Sequence, residues 1–149
     1  MACEKQPDGT VKSYLEFTPE EIINKSILSI KQDIGLLSNN IVPLGGRKLK
    51  EIFEREGLSA ADVDYFLPHM SSEYFRSKIF DVMTGLGSYI PYEKWFVNLT
   101  SLGNVGAASA YFMVHELFKS GRLKKGERLL LLVPESSRFS YMYAMLTVC

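Results

Sequence analysis

Five apolar residues in a row, Leu129-Leu130-Leu131-Leu132-Val133, constrain the fold of this chain more than any other feature. A strand with one wet face alternates apolar and polar side chains, whereas an unbroken run suits a strand covered on both faces. Covering both faces takes helices, and the preceding sequence supplies them in alternation with extended segments. Residues 63–67 read as a strand. From Ser71, the spacing of Phe75, Ile79, Val82 and Leu86 predicts an amphipathic helix. Residues 95–99 read as the next strand, and residues 105–119 as a helix closed by Gly121. After Pro134-Glu135-Ser136-Ser137, residues 139–148 are apolar or aromatic at both alternating sets, which predicts a closing antiparallel strand deep in the sheet. Right-handed crossovers would keep the earlier strands parallel. The expected class is α/β, with a mixed sheet flanked by helices.

The upstream third carries sharper local signals. Residues 1–10 read as a flexible segment, with Asp8-Gly9 turning the chain into an extended stretch over 11–17. Thr18-Pro19-Glu20-Glu21 announces a helix: Thr18 can accept an exposed amide, Pro19 suits the first helical position, and Glu21 completes a capping box. Behind it Ile23, Ile27, Ile30, Ile34 and Leu37 recur as one apolar stripe, weakened at Gly35. Pro43-Leu44-Gly45-Gly46 should end or bend that continuation. A second helix is expected over 47–56, burying Leu49, Ile52 and Phe53, with Gly57 at its end. Ser59-Ala60-Ala61-Asp62 gives a short capped turn before the strand at 63–67.

Composition narrows the function classes. A chain of 149 residues, 46% hydrophobic, suits one globular domain. Lys plus Arg and Asp plus Glu both total 17, so no net field favours nucleic acid or an acidic membrane. No apolar run approaches the roughly 18 residues of a membrane span. A polar segment follows Met1 where a secretory leader would carry an apolar core, so a cytoplasmic setting is expected. Cys3 and Cys149 stand at opposite ends of the chain, a poor disulfide framework with no clustered metal ligands. Gly45-Gly46 and Gly103-Asn104-Val105-Gly106 lack the dinucleotide and phosphate-loop patterns. No cofactor or metal is expected.

Two turns stand where a buried strand gives way to a helix. Phe66-Leu67-Pro68-His69 places an imidazole there, and Leu102-Gly103-Asn104 places an amide. Neighbouring parallel strands end at one edge of a sheet, where ligands of open α/β sheets bind. If the two strands are neighbours, His69 and Asn104 can converge on one carbonyl oxygen and stabilise negative charge developing there. Taken singly, each has a structural explanation, as a polar turn and a helix cap. Glu73 could orient His69. Ser71 and Ser72 sit at cap positions, and as nucleophiles they would need a triad the sequence does not supply. His115 reads as a boundary residue of its helix. Asn98-Leu99-Thr100 matches a glycosylation acceptor, but its place in a buried strand argues against modification.

Three segments in shared order resemble beta-ketoacyl-[acyl-carrier-protein] synthase III and related thiolase-fold condensing enzymes. They are Asp62-Val63-Asp64-Tyr65-Phe66-Leu67-Pro68-His69, Gly103-Asn104-Val105-Gly106-Ala107-Ala108-Ser109, and the run from Gly126 to Ser136. With the closing strand, the likeness covers residues 47–148 and is to the C-terminal half. It implies a thiolase-like half with a βαβαββ core and a mixed five-stranded sheet, occupying residues 11–149. It further implies that His69 and Asn104 are two members of a Cys-His-Asn site for decarboxylative condensation of a malonyl thioester with an acyl group. Met70-Ser71-Ser72 departs from the Gln-Ala-Asn that often follows the histidine, and the first helix and central region look like the subgroup making alkylresorcinols. The acyl-accepting cysteine belongs to the first half, which neither Cys3 nor Cys149 matches. The expectation is therefore a fragment lacking the N-terminal catalytic-cysteine half and inactive alone, with that half, acyl-carrier protein or coenzyme A thioesters as partners. A catalytically silent carrier-binding or assembly module is the alternative. Apolar surface left uncovered by the absent half would favour self-association, a homodimer among the outcomes.

Overall fold

The computed structural model describes residues 3–29 and 32–149. The chain divides into two compact units, Met1–Ile34 and Gly35–Cys149. In the first, β1 (Cys3–Lys5) pairs antiparallel with β2 (Val11–Ser13). The segment expected to be flexible thus contributes a strand. The Asp8 carboxylate holds the intervening turn by accepting from the Thr10 amide at 2.9 Å and hydroxyl at 2.7 Å. The extended stretch expected over 11–17 stops at Ser13, because Ser13 and Glu16 cap a 3-10 turn there.

Helix α1 (Pro19–Asn24) starts as its capping box dictates: Thr18 accepts from the Glu21 amide and the Glu21 carboxylate accepts from the Thr18 amide. It ends just past Ile23, the first member of the apolar stripe, and two residues beyond its end Ser26 adopts a φ of 51° in the left-handed region. The stripe is consequently not one helical face. Ile23 and Ile34 are exposed while Ile27 is buried; Ile30 lies outside the described residues.

Helix α2 (Ile34–Glu56) corrects the expected break at residues 43–46. Pro43 removes one ladder hydrogen bond, and the double glycine lowers helix propensity, yet the helix runs through both. Packing is the reason. A Cβ on Gly45 would stand 2.9 Å from the Tyr141 ring, and one on Gly46 would stand 2.5 Å from Val82 Cγ1. The glycines therefore let α2 press on two neighbours at once. The Tyr141 hydroxyl donates to the Ile41 carbonyl and the Tyr143 hydroxyl to that of Gly45, both at 2.7 Å. Desolvation raises both phenols above their ordinary pKa, which keeps them as neutral donors. Gly46→Val is expected to cost about 1–3 kcal/mol by overpacking against Val82 and Leu86, read as a lower midpoint in urea unfolding.

The sheet of this unit has the order β3-β4-β5. β3 (Tyr65–Pro68) runs parallel to β4 (Arg128–Glu135), with Phe66 opposite Leu130 and Pro68 opposite Leu132. β5 (Ser140–Thr147) returns antiparallel along the other side of β4. The leucine run is buried on both faces, as expected. Leu130 and Leu132 join Leu49 and Phe53 of α2, Met83 of α3 (Tyr74–Gly85), Phe66 and Trp95. Leu129, Leu131 and Val133 join Leu67 and the inner residues of the last helix.

Two expectations about the sheet are corrected. Residues 95–99 do not form a strand: Trp95 makes a single parallel bridge to Phe66, after which the chain coils into α4 (Leu99–Leu102). Among the described residues the ladder therefore has three strands rather than five. β5 lies at its edge, not deep within it; its Tyr141, Tyr143 and Met145 pack on the core while Met142 and Leu146 remain exposed. The helix expected over 105–119 begins later, a 3-10 turn at Gly106–Ala108 preceding α5 (Ser109–Lys119). Among the described residues, no helix is long and apolar enough to cross a membrane.

Candidate functional site

β3 delivers His69 to the C-terminal edge of the parallel pair. Pro68 fixes the approach, and the His69 amide donates to the Leu132 carbonyl at 2.7 Å, continuing the ladder by one bond. The residue is 8% exposed, and its Nδ1 is buried with no hydrogen-bond partner. Desolvation pushes the imidazole pKa below its ordinary value, so the ring is neutral at pH 7. Glu73 does not orient it; that carboxylate lies 3.7 Å from Arg76.

The segment after Trp95 brings a second polar group to the same edge. Phe96 donates its amide to the Phe66 carbonyl at 2.8 Å, locking the parallel bridge. Counting onward equally from Phe66 and Trp95 reaches His69 and Asn98. Asn98 is 7% exposed and its Nδ2 is also buried without a partner. It precedes α4, where an asparagine ordinarily caps with its side chain, yet it makes no such bond. Leaving one such donor unpaired costs about 1–3 kcal/mol, so two together mark a place where ordinary folding requirements give way.

His69 and Asn98 line one cleft with Pro68, Gly103, Ser109 and Met113. The space open to the centre of a water molecule is about 10 Å³, room for one oxygen-sized group and not for a whole substrate. Asn104 is next in sequence to Gly103 but outside the lining. It is exposed, and its Oδ1 accepts from the Gly106 amide at 3.0 Å. That bond consumes the acceptor of the amide and not its N–H donors. The structure thus gathers His69 and Asn98, with Asn104 on the adjoining loop. Asn98 went unassigned in the sequence because residues 95–99 read as a continuous strand. A one-bridge alignment of Trp95 with Phe66 would have found it.

The remaining candidates have structural roles or none. Ser72 accepts from the Tyr74 amide at 3.2 Å, a turn contact ahead of α3, and Ser71 is exposed. His115 is exposed on α5 with Tyr111 and Phe118 along the same stripe. Cys3 and Cys149 are free and exposed. Among the described residues, no group of three or more His, Cys, Asp or Glu could hold a metal ion.

A neutral imidazole with its proton on Nδ1 and an amide NH2, both lining one cleft, can stabilise a carbonyl oxygen gaining negative charge once that oxygen reaches them. They cannot act as a strong nucleophile. Because the folded-state pKa of His69 is depressed, the unfolded chain binds its proton first as pH falls. Its contribution to stability is complete above the unfolded value near 6.5 and is lost as pH drops toward the folded value. Urea midpoints measured from pH 7.5 down to 5 should therefore fall in the wild type and fall less in His69→Asn.

The model of a family described as "3-Oxoacyl-[acyl-carrier-protein (ACP)] synthase III C terminal" matches residues 53–133, more than half of the 149-residue chain. The chain belongs to this synthase III C-terminal family. Both His69 and Asn104 fall within the matched residues. Beta-ketoacyl-[acyl-carrier-protein] synthase III of Brucella canis is 34% identical over 131 residues, covering 88% of this chain and 39% of the relative. The Clostridium acetobutylicum synthase III is 28% identical over 138 residues, covering 82% of this chain and 38% of the relative. The family member described here thus spans less than two fifths of either relative. The crystal structure of the Thermus thermophilus synthase III aligns with a TM-score of 0.66 at 23% identity, covering 97% of this chain and 39% of that one. The Xanthomonas oryzae synthase III aligns at 0.68 and 20% identity, covering 98% and 36%. The fold of this family member is accordingly the thiolase-like α/β fold, a mixed sheet between helices.

Proposed function

We propose that this chain supplies the donor half of a decarboxylative condensing site and is inactive alone. His69 and Asn104 donate hydrogen bonds to the carbonyl oxygen of a malonyl thioester carried by acyl-carrier protein or coenzyme A. The bond to the carboxylate breaks, carbon dioxide leaves, and its electron pair becomes an enolate held by those donors. The enolate carbon then attacks an acyl thioester on a cysteine of an N-terminal half, forming the new carbon–carbon bond and expelling the thiolate. On this reading residues 11–149 are the C-terminal synthase domain, working in the cytoplasm.

The observation that carries the reading is the buried, neutral His69 with an unpartnered nitrogen at the end of parallel β3, within the residues the family model matches. The aromatic face of α5 adds support: Tyr111 is 77% and Phe118 72% exposed, an apolar surface suited to cover by the other half. Solution mass should accordingly rise with concentration, and a persistently monomeric chain would argue against an uncovered interface.

The test supplies the other half. This chain is mixed with the separately produced cysteine-bearing half of the Brucella canis relative, malonyl-coenzyme A and an acyl-coenzyme A. A β-ketoacyl thioester is expected only in the mixture. Product from this chain alone would refute its inactivity. A second reading draws on the position of Asn104 outside the cleft lining: a module that binds carrier protein without turnover. Carrier binding with no product in the mixture would favour it.

A further inference from the structure

We propose that Asn98 is an additional oxygen-binding residue of this site, its Nδ2 amide donating to the same thioester carbonyl oxygen as His69; the inference rests on the donor-half reading. Three observations meet here. Both residues are more than nine-tenths buried, both carry a side-chain nitrogen that is buried with no hydrogen-bond partner, and both line one cleft. The chemistry of the pair selects the ligand. An amide NH2 can only donate, and a neutral imidazole protonated on Nδ1 donates as well, so the group they share is an oxygen acceptor. A cation would meet donors, and an apolar group would leave both nitrogens unpaired.

Local structure fixes Asn98 for this task. Its backbone carbonyl accepts from the Ser101 and Leu102 amides at 3.1 and 2.9 Å and from the Ser101 hydroxyl at 3.0 Å. The residue is thereby anchored to the first turn of α4 while its side chain is released from capping. On the other side the Trp95–Phe66 bridge ties the approach to β3, and Trp95 Nε1 donates to the Ile90 carbonyl at 2.8 Å. Both nitrogens lie below the water-accessible surface, so a ligand oxygen reaches them as the cleft widens. Met70 and Met113 line it, and unbranched thioether side chains yield readily. The glycosylation reading of Asn98 fails on the same burial, since a transferase cannot reach it.

The experiment uses the full chain with S-acetylpantetheine as probe, His69 followed by its ring resonances and Asn98 by its side-chain amide. Saturable shifts are expected at both. Asn98→Ala should weaken probe binding about fivefold to tenfold, and Asn98→Ser, which retains a donor, should weaken it less. Asn98→Asp should raise the His69 pKa by about one unit or more, as a carboxylate sharing the cleft requires and a distant one cannot produce. Should that variant fail to fold, the wild-type Asn98 amide shift decides the matter by itself. Probe binding that His69→Ala weakens and Asn98→Ala leaves unchanged overturns the role of Asn98 and spares the donor-half reading. An Asn98→Asp chain whose His69 pKa does not move overturns the shared cleft. No saturable shift at His69 in the wild type overturns the reading itself, and this inference with it.

Discussion

Phe66→Ala is expected to lower the stability of the chain by about 3–5 kcal/mol, the usual cost of emptying a fully buried phenylalanine site. Phe66 is 0% exposed and packs edge-to-face on Trp95 with ring centroids 4.9 Å apart. Its backbone also forms the bridge that brings the Trp95 segment beside β3 and the ladder to Leu130 of β4. The substitution therefore removes packing at the point where β3 and the Trp95 segment are aligned. Urea unfolding should show the midpoint collapse, with the slope retained. A change below about 1 kcal/mol would mean the core around β3 collapses to fill the space.

His69→Ala carries the largest expected effect on chemistry. In the complemented mixture, release of carbon dioxide from malonyl-coenzyme A should fall about 10²–10³-fold, the usual loss for one donor to a developing oxyanion. Stability should change little above pH 7 in comparison, because the substitution removes a nitrogen that makes no hydrogen bond and breaks no satisfied one there. His69→Asn, which retains a donor on a shorter side chain, should recover part of the rate. An undiminished rate in His69→Ala would remove the imidazole from the reaction.

How much was legible in the sequence depended on the range of the interactions involved. The capping box at Thr18 and Glu21 and the doubly covered leucine run rest on local chemistry and stand as read, and the strand expected over 63–67 is present as Tyr65–Pro68. What failed was set by tertiary contacts. α2 runs through Pro43 and the two glycines because Tyr141 and Val82 press close there, and no local signal announces those neighbours. Residues 95–99 have strand composition, yet the chain makes one bridge and then coils into α4. That departure is what turns Asn98 into the cleft and carries Asn104 onto the following loop. The candidate histidine was thus readable from its own turn, and its buried polar companion Asn98 was not.

If His69 and Asn104 act on one carbonyl oxygen, a titration of the isotope-labelled chain with S-acetylpantetheine will report on both residues at once. The His69 ring and the Asn104 side-chain amide should shift together along a single saturation curve. Shifts confined to His69, or the two residues saturating at different probe concentrations, would contradict it.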